Sequence, residues 1–164
     1  MSRLLAHLLP LAFLISGCAA ATPNFAVLDS VMVDQNTSLV WAKNADMAKQ
    51  QLPWRSENNA YEFIRKLNDS RFAGYADWRL PTRDEFSVLI DYARSAGYDR
   101  NDMKSWPYRR LQELGFADVR DYGYWTASRN SATEMWTADL QSGDITPAPE
   151  NLPYYVWPVR GRSR

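Results

Sequence analysis

The chain has 164 residues, and its 19 Lys and Arg balance 19 Asp and Glu, which excludes steering toward nucleic acid or any other polyanion by net charge. Its single cysteine, Cys18, and single histidine, His7, lie near the N-terminus. The rest of the chain therefore has no thiol nucleophile, internal disulfide, histidine-based triad or Cys/His zinc site.

At the N-terminus Arg3 precedes an apolar run from Leu4 to Ile15, interrupted only by His7 and Pro10. Such a run fits the roughly 7–15 residues of a signal-peptide core and falls short of the roughly 20 that span a bilayer. The tetrad Ile15-Ser16-Gly17-Cys18 resembles a bacterial lipobox, which predicts cleavage before Cys18 and lipidation of its thiol. Several acyl chains on one residue satisfy the need for more than one chain in stable anchoring. The expected organisation is a lipoprotein signal peptide over 1–17, a lipidated tether over 18–28 and one domain over 29–164. Ala19 after the cysteine, where Asp would mark retention, resembles lipoproteins sorted to an outer membrane. The cell envelope is the expected location.

Seven Trp and nine Tyr follow, with no internal repeat. Two apolar β-prone runs, Val31–Asp34 and Leu39–Ala42, surround the polar residues Gln35 to Ser38, which predicts a β-hairpin. Ser56 is placed to cap a helix running to about Asn68, whose Ala60, Phe63, Ile64 and Leu67 recur at helical spacing. Asp77-Trp78-Arg79-Leu80-Pro81-Thr82 reads as a turn into a second helix. Thr82 and Glu85 have capping-box spacing there, Phe86, Leu89, Ile90 and Ala93 form the buried face, and Gly97 is the expected stop.

From Tyr98 to Gly123 periodicity weakens into a loop-rich insertion with a short helix near Tyr108 to Leu114. Tyr124–Ser128 and Trp136–Leu140 read as strands, the second half-buried with Trp136, Ala138 and Leu140 inward. Gln141 to Asp144 is turn chemistry. Tyr155 to Gly161 reads as a last strand, at an edge because Pro158 has no amide to donate. Helices grouped before strands indicate an α+β domain.

Four blocks resemble the Lcl C-terminal domain family of bacterial envelope proteins, long catalogued as a domain of unknown function. They are Asp34 to Trp41; Asp77 to Thr82 with Glu85; Tyr124 to Ser128 with Trp136 and Gly143; and Val159-Arg160-Gly161. The resemblance implies a C-type-lectin-like fold, in which two helices flank a small antiparallel sheet with a long loop region at one end. It also implies surface or secreted modules, some of them adhering to glycans, and no shared catalytic residues.

Trp41, Trp78, Trp125 and Trp136 are expected in the core, because large aromatics beside regular elements bury large areas. Arg79 and Arg160 are expected to hold loop carbonyls or to pair with Asp77. The segment Asp144 to Asn151 does not follow the calcium-dependent sugar-binding pattern, so neither metal nor cofactor is expected. By subtraction, the expected ligand-binding residues are Trp106, Tyr108, Arg109, Arg110, Tyr154 and Tyr155, in weakly periodic segments where loops on a rigid scaffold carry binding. The expected function is a lipid-anchored, non-enzymatic module that binds a glycan, peptidoglycan or an envelope protein. A hydrolase using Asp and Glu is the alternative, and it requires a concave pocket with two facing carboxylates roughly 5–10 Å apart.

Overall fold

Asp34 organises the hairpin that the sequence predicts. Its carboxylate accepts from the Asn36 amide at 2.9 Å and from the Thr37 hydroxyl at 2.6 Å, tying down the polar turn. On either side, β2 (Val31–Asp34) and β3 (Val40–Ala42) pair antiparallel, with Met32 opposite Trp41. The computed structural model describes residues 22–162 apart from Ser56 and Ala96, so the expected signal peptide, Cys18 and the first tether residues lie outside the described residues. No helix among the described residues is long and apolar enough to cross a membrane.

The hairpin belongs to a four-stranded antiparallel sheet in the order β1-β2-β3-β9, with β1 at Phe25–Val27 and β9 at Val159–Arg160. The first strand falls within the stretch expected as tether. Three residues are too few for a periodic signal, and tertiary packing holds β1, with the Phe25 ring edge-on to Phe116 at 5.1 Å and to Tyr92 at 5.9 Å. The last strand does lie at a sheet edge, but it is only two residues long. Its far side bridges to Arg79.

The sheet does not stand alone, and two helices are not the whole helical content. Leu52–Pro53 (β4) pairs with Pro153–Tyr154 (β8), and a three-stranded sheet joins Gly123–Arg129 (β5), Glu134–Asp139 (β6) and Ile145–Pro149 (β7). Ala60–Asp69 (α1), Arg83–Arg94 (α2) and Pro107–Glu113 (α3) complete the fold. The N-cap of α1 is Asn59, whose side chain accepts from the Glu62 amide at 2.9 Å; Ser56, the expected cap, is outside the described residues. Thr82 and Glu85 form the expected capping box on α2. Gly97 follows α2 with a left-handed φ of 95°, where its amide reaches the Arg94 carbonyl.

Helix α3 is part of the core rather than of a loop insertion. Pro107 starts it at N1, where no amide is needed, and Leu111, Phe116 and Val119 are buried beside it. The helix falls where the sequence places a short one, near Tyr108 to Leu114, but fewer than two turns carry too little periodicity to show that it enters the core.

Two buried clusters lie on the two faces of the β5–β6 sheet. The main one packs Trp41, Phe86, Trp157 and Tyr124, with Trp41 5.4 Å from Trp157 and 5.5 Å from Phe86. The second holds Leu52, Trp54, Leu80, Trp125, Met135 and Val156. Successive residues of a strand face opposite sides, so Tyr124 enters the first cluster and Trp125 the second. For the same reason β6 is not half-buried. Ala138 and Leu140 face the main core as expected, while Met135 lies in the second and the buried Thr137 donates to the Thr146 carbonyl at 3.0 Å. Trp136 is only half-buried, at the margin, with the Arg83 guanidinium 5.2 Å from its ring. Trp41, Trp78 and Trp125 are buried as expected.

Candidate functional site

The six residues singled out from the sequence fall into two groups. On and before α3, Trp106 is half-buried and donates from its indole nitrogen to the Arg100 carbonyl at 3.2 Å. Tyr108 packs against the main core, and Arg109 lies over its ring at 5.1 Å while donating to its hydroxyl at 2.9 Å. Arg110 instead pairs with Glu113 at 2.8 Å. Consecutive helical residues project about 100° apart, so Arg109 and Arg110 face different partners.

The second group lies on the late segment. Tyr154 meets the Trp125 ring at 4.8 Å, and Tyr155 meets Tyr124 at 5.5 Å. Exposed Tyr122, not singled out from the sequence, joins them at 6.0 Å from Tyr154 and 6.2 Å from Tyr155. Gly123 makes this possible, since a β-carbon there would lie 2.5 Å from Tyr154 Cδ1. The segment screened for calcium is largely β7, and its Glu150 carboxylate is engaged by Arg129 at 2.6 Å and Arg55 at 3.5 Å. Among the described residues no three or more His, Cys, Asp or Glu side chains gather in a group that could hold a metal ion.

Elsewhere a cleft of about 840 Å³ lies between α1, the Trp54-Arg55 pair after β4, and the β5–β6 sheet. Its geometry follows from α1. Ala60, Phe63, Ile64 and Leu67 turn inward as the spacing predicts, which leaves Tyr61 and Arg65, one turn apart, beside the cleft. Trp54, Ile64, Leu80 and Met135 supply the apolar lining. Trp54 and Tyr61 stand nearly perpendicular, at 83° and 6.2 Å, making an aromatic corner. Opposite, a register shift in β5 between Trp125 and Arg129 interrupts the ladder, and the Ala127 amide turns to the Pro81 carbonyl at 2.6 Å. That irregular stretch carries Ala127 and Arg129 into the lining.

Four arginines and no carboxylate line the cleft among the described residues. They are not equivalent. Arg79 is held in place, donating to both oxygens of Glu85 and to the carbonyls of Leu80 and Gly161. Arg129 is occupied by Glu150 and by the carbonyls of Ser131 and Ala132. Arg55 touches Glu150 only at 3.5 Å with 68% of its side chain exposed, and Arg65 gives one nitrogen to Asp69 with 63% exposed. These two keep most of their donors in water.

The charges behind the cleft are set by its scaffold. Burial pushes the Glu85 carboxyl up, but hydrogen bonds from Arg79 and the Thr82 amide outweigh it and hold Glu85 below its ordinary value. Asp77 is lowered by the hydrogen bond from Arg160, which also lies 3.7 Å from the Tyr75 ring. The expected structural work of Arg79 and Arg160 is what the geometry shows. The cleft residues Trp54, Arg55, Tyr61 and Arg65 escaped the sequence reading. A usable signal was present in the aromatic Tyr61 on the polar side of an amphipathic helix, with an arginine four residues on.

Helices and antiparallel sheets grouped separately along the chain define an α+β domain with an apolar, arginine-lined cleft. The sequence model of the Lcl C-terminal domain matches residues 30–160, nearly all of the folded part, and the chain belongs to the Lcl C-terminal domain family. A search of the curated proteins finds no match to the chain.

Proposed function

We propose that the protein is a binding module of the cell envelope, held at an outer membrane by lipid on Cys18, that engages its ligand in the cleft between α1 and the β5–β6 sheet. The observation that carries this reading is the lining itself: a preformed concavity of aromatic and aliphatic side chains rimmed by arginines, with no carboxylate among its described residues. The hydrolase alternative needs an acid whose pKa is raised and a second carboxylate facing it. Glu85, behind the wall, is shifted the other way and is clamped by Arg79. A C-type-lectin-like fold agrees with the antiparallel pairing of β3 and β9, which brings the two ends of the domain together. Ligands in keeping with an envelope location are a glycan, a peptidoglycan strand or an envelope protein.

A photo-crosslinking amino acid in place of Tyr61, in the full-length protein in its native cells, tests the reading. The expected result is an adduct of defined mass that disappears when Arg55 and Arg65 are changed to Glu. An adduct from position 122 with none from position 61 would move the site to the Tyr122, Tyr154 and Tyr155 surface. Metabolic labelling with a fatty-acid analogue should mark the wild type and not Cys18→Ser; equal labelling would remove the lipid anchor.

A further inference from the structure

We infer that the cleft takes a large apolar side chain of a protein partner, flanked in that partner by acidic residues; this rests on the cleft being the binding site. Three features of the cleft decide among ligand classes. The first is composition. Trp54, Tyr61, Met135 and the arginines are the residue types that concentrate at the energetic centres of protein interfaces, while Lys, Asp and Glu, which such centres lack, are missing from the described lining.

The second is the balance of hydrogen-bonding groups. Sugar hydroxyls both donate and accept, so a saccharide site needs acceptors beside its donors. Here Ile64, Leu80, Ala127 and Met135 form much of the wall, and the Asn68 amide is spent on both sides of the Trp78 backbone, at 2.7 and 2.9 Å. Apart from the Tyr61 hydroxyl and the Asn59 side chain, whose oxygen accepts from the Glu62 amide, the lining offers a guest mostly arginine donors and apolar surface. The cleft is also only partly enclosed, so a lipid chain laid in it would keep part of its surface in water.

The third is the placement of charge. Arg55 follows Trp54 in the chain and Arg65 lies one turn beyond Tyr61 on α1, so each ring of the aromatic corner has an exposed arginine with few bonds of its own beside it in the lining. Guanidinium groups in that position meet carboxylates on either side of an inserted side chain through paired N–H contacts. Outside the lining, Asp69 and Glu150 already meet part of that charge; Arg65–Asp69 is an exposed pair and Arg55 reaches the largely buried Glu150 only at 3.5 Å, so a partner's carboxylates compete with weak contacts rather than with a closed ion pair.

The test is selection from a random dodecapeptide library on the purified full chain, followed by titration of the selected peptides against wild type and against Tyr61→Ala and Arg55→Glu/Arg65→Glu. These side chains are largely exposed, so the variants keep the fold, which circular dichroism verifies. The expected peptides carry a bulky apolar residue with Asp or Glu within a few positions, and lose at least tenfold in affinity for either variant. Replacing their acids by Lys abolishes binding. Selected peptides without that pattern, or with unchanged affinity for both variants, overturn the inference. Chito-oligosaccharide or anionic vesicles that bind saturably to wild type and at least tenfold more weakly to Tyr61→Ala, when no peptide binds, overturn the peptide assignment but leave the cleft as the site. Failure of peptide, saccharide and vesicle alike overturns the cleft itself.

Discussion

Arg79 and Glu85 form a two-pronged ion pair in which the two terminal nitrogens of the guanidinium meet the two carboxylate oxygens at 2.8 and 2.7 Å. The same Glu85 receives the Thr82 amide at 2.8 Å, and the same Arg79 donates to the Gly161 carbonyl at 2.6 Å. One pair thereby joins the turn before α2, the start of α2 and the end of the chain. Arg79→Ala leaves Glu85 buried without its counter-charge. It should cost roughly 3 kcal/mol, the lower end for a broken buried pair, because Arg79 remains partly exposed. Urea melts measure it, and a loss below about 1 kcal/mol would show that water replaces the guanidinium.

Acid should weaken the fold through the same pair. Glu85 and Asp77 both have folded pKa values below their ordinary ones, so their contribution is fully present above the unfolded carboxylate range near pH 4. It is lost as the pH falls through the lower folded values, since the unfolded state then binds more protons. Glu85→Gln should be less stable than wild type at pH 7 and should lose less on going from pH 5 to pH 3. Parallel stability curves for the two proteins over that interval would rule the linkage out.

Two tryptophans of the family motifs should respond differently. Trp78 is 2% exposed, donates from its indole to the Phe72 carbonyl at 3.0 Å, and should cost roughly 3–5 kcal/mol when truncated to Ala. Trp136, half-buried beside Arg83, should cost roughly 1 kcal/mol, in the range of a partly desolvated cation–π contact. Thr82→Ala should cost about 1 kcal/mol through the lost cap. Equal losses at Trp78 and Trp136 in denaturant melts would contradict the burial difference.

Gly123→Ala should push the Tyr154 ring off Trp125. The added β-carbon would lie 2.5 and 2.6 Å from two ring carbons, and overpacking of this kind costs roughly 1–3 kcal/mol. The same change made on a Tyr154→Ala background should cost far less, because the clashing ring is gone. Additive losses in that double-mutant cycle would place the strain elsewhere.

Much of the fold was legible in the sequence because it is set locally. The turn at Asp34, the capping box of Thr82 and Glu85, and the stripe from Phe86 to Ala93 each depend on residues a few positions apart. The membership in the Lcl C-terminal domain family was legible too, since its motifs are contiguous. The short elements β1, β4 and β8 were not legible, because so short a run has no period and is held by its partner strand, and β9 forms only two residues of the last strand read from Tyr155 to Gly161.

The sequence by itself determined an α+β chain with its hairpin, its two main helices, its structural arginines and, among its expectations, a cysteine placed for lipidation. Only the tertiary structure decided where the concave surface lies. Trp54 and Arg55 come from one segment, Tyr61 and Arg65 from α1, Ala127 and Arg129 from an irregular stretch of β5, and Met135 from β6. No local pattern links them. They share a cleft because β5 and β6 are buried on both faces and α1 packs on the second cluster, which brings these separate segments together. The aromatic residues expected to bind lie in other places because a weak period signals a short element as readily as a loop, and α3 uses its short length to fill the core.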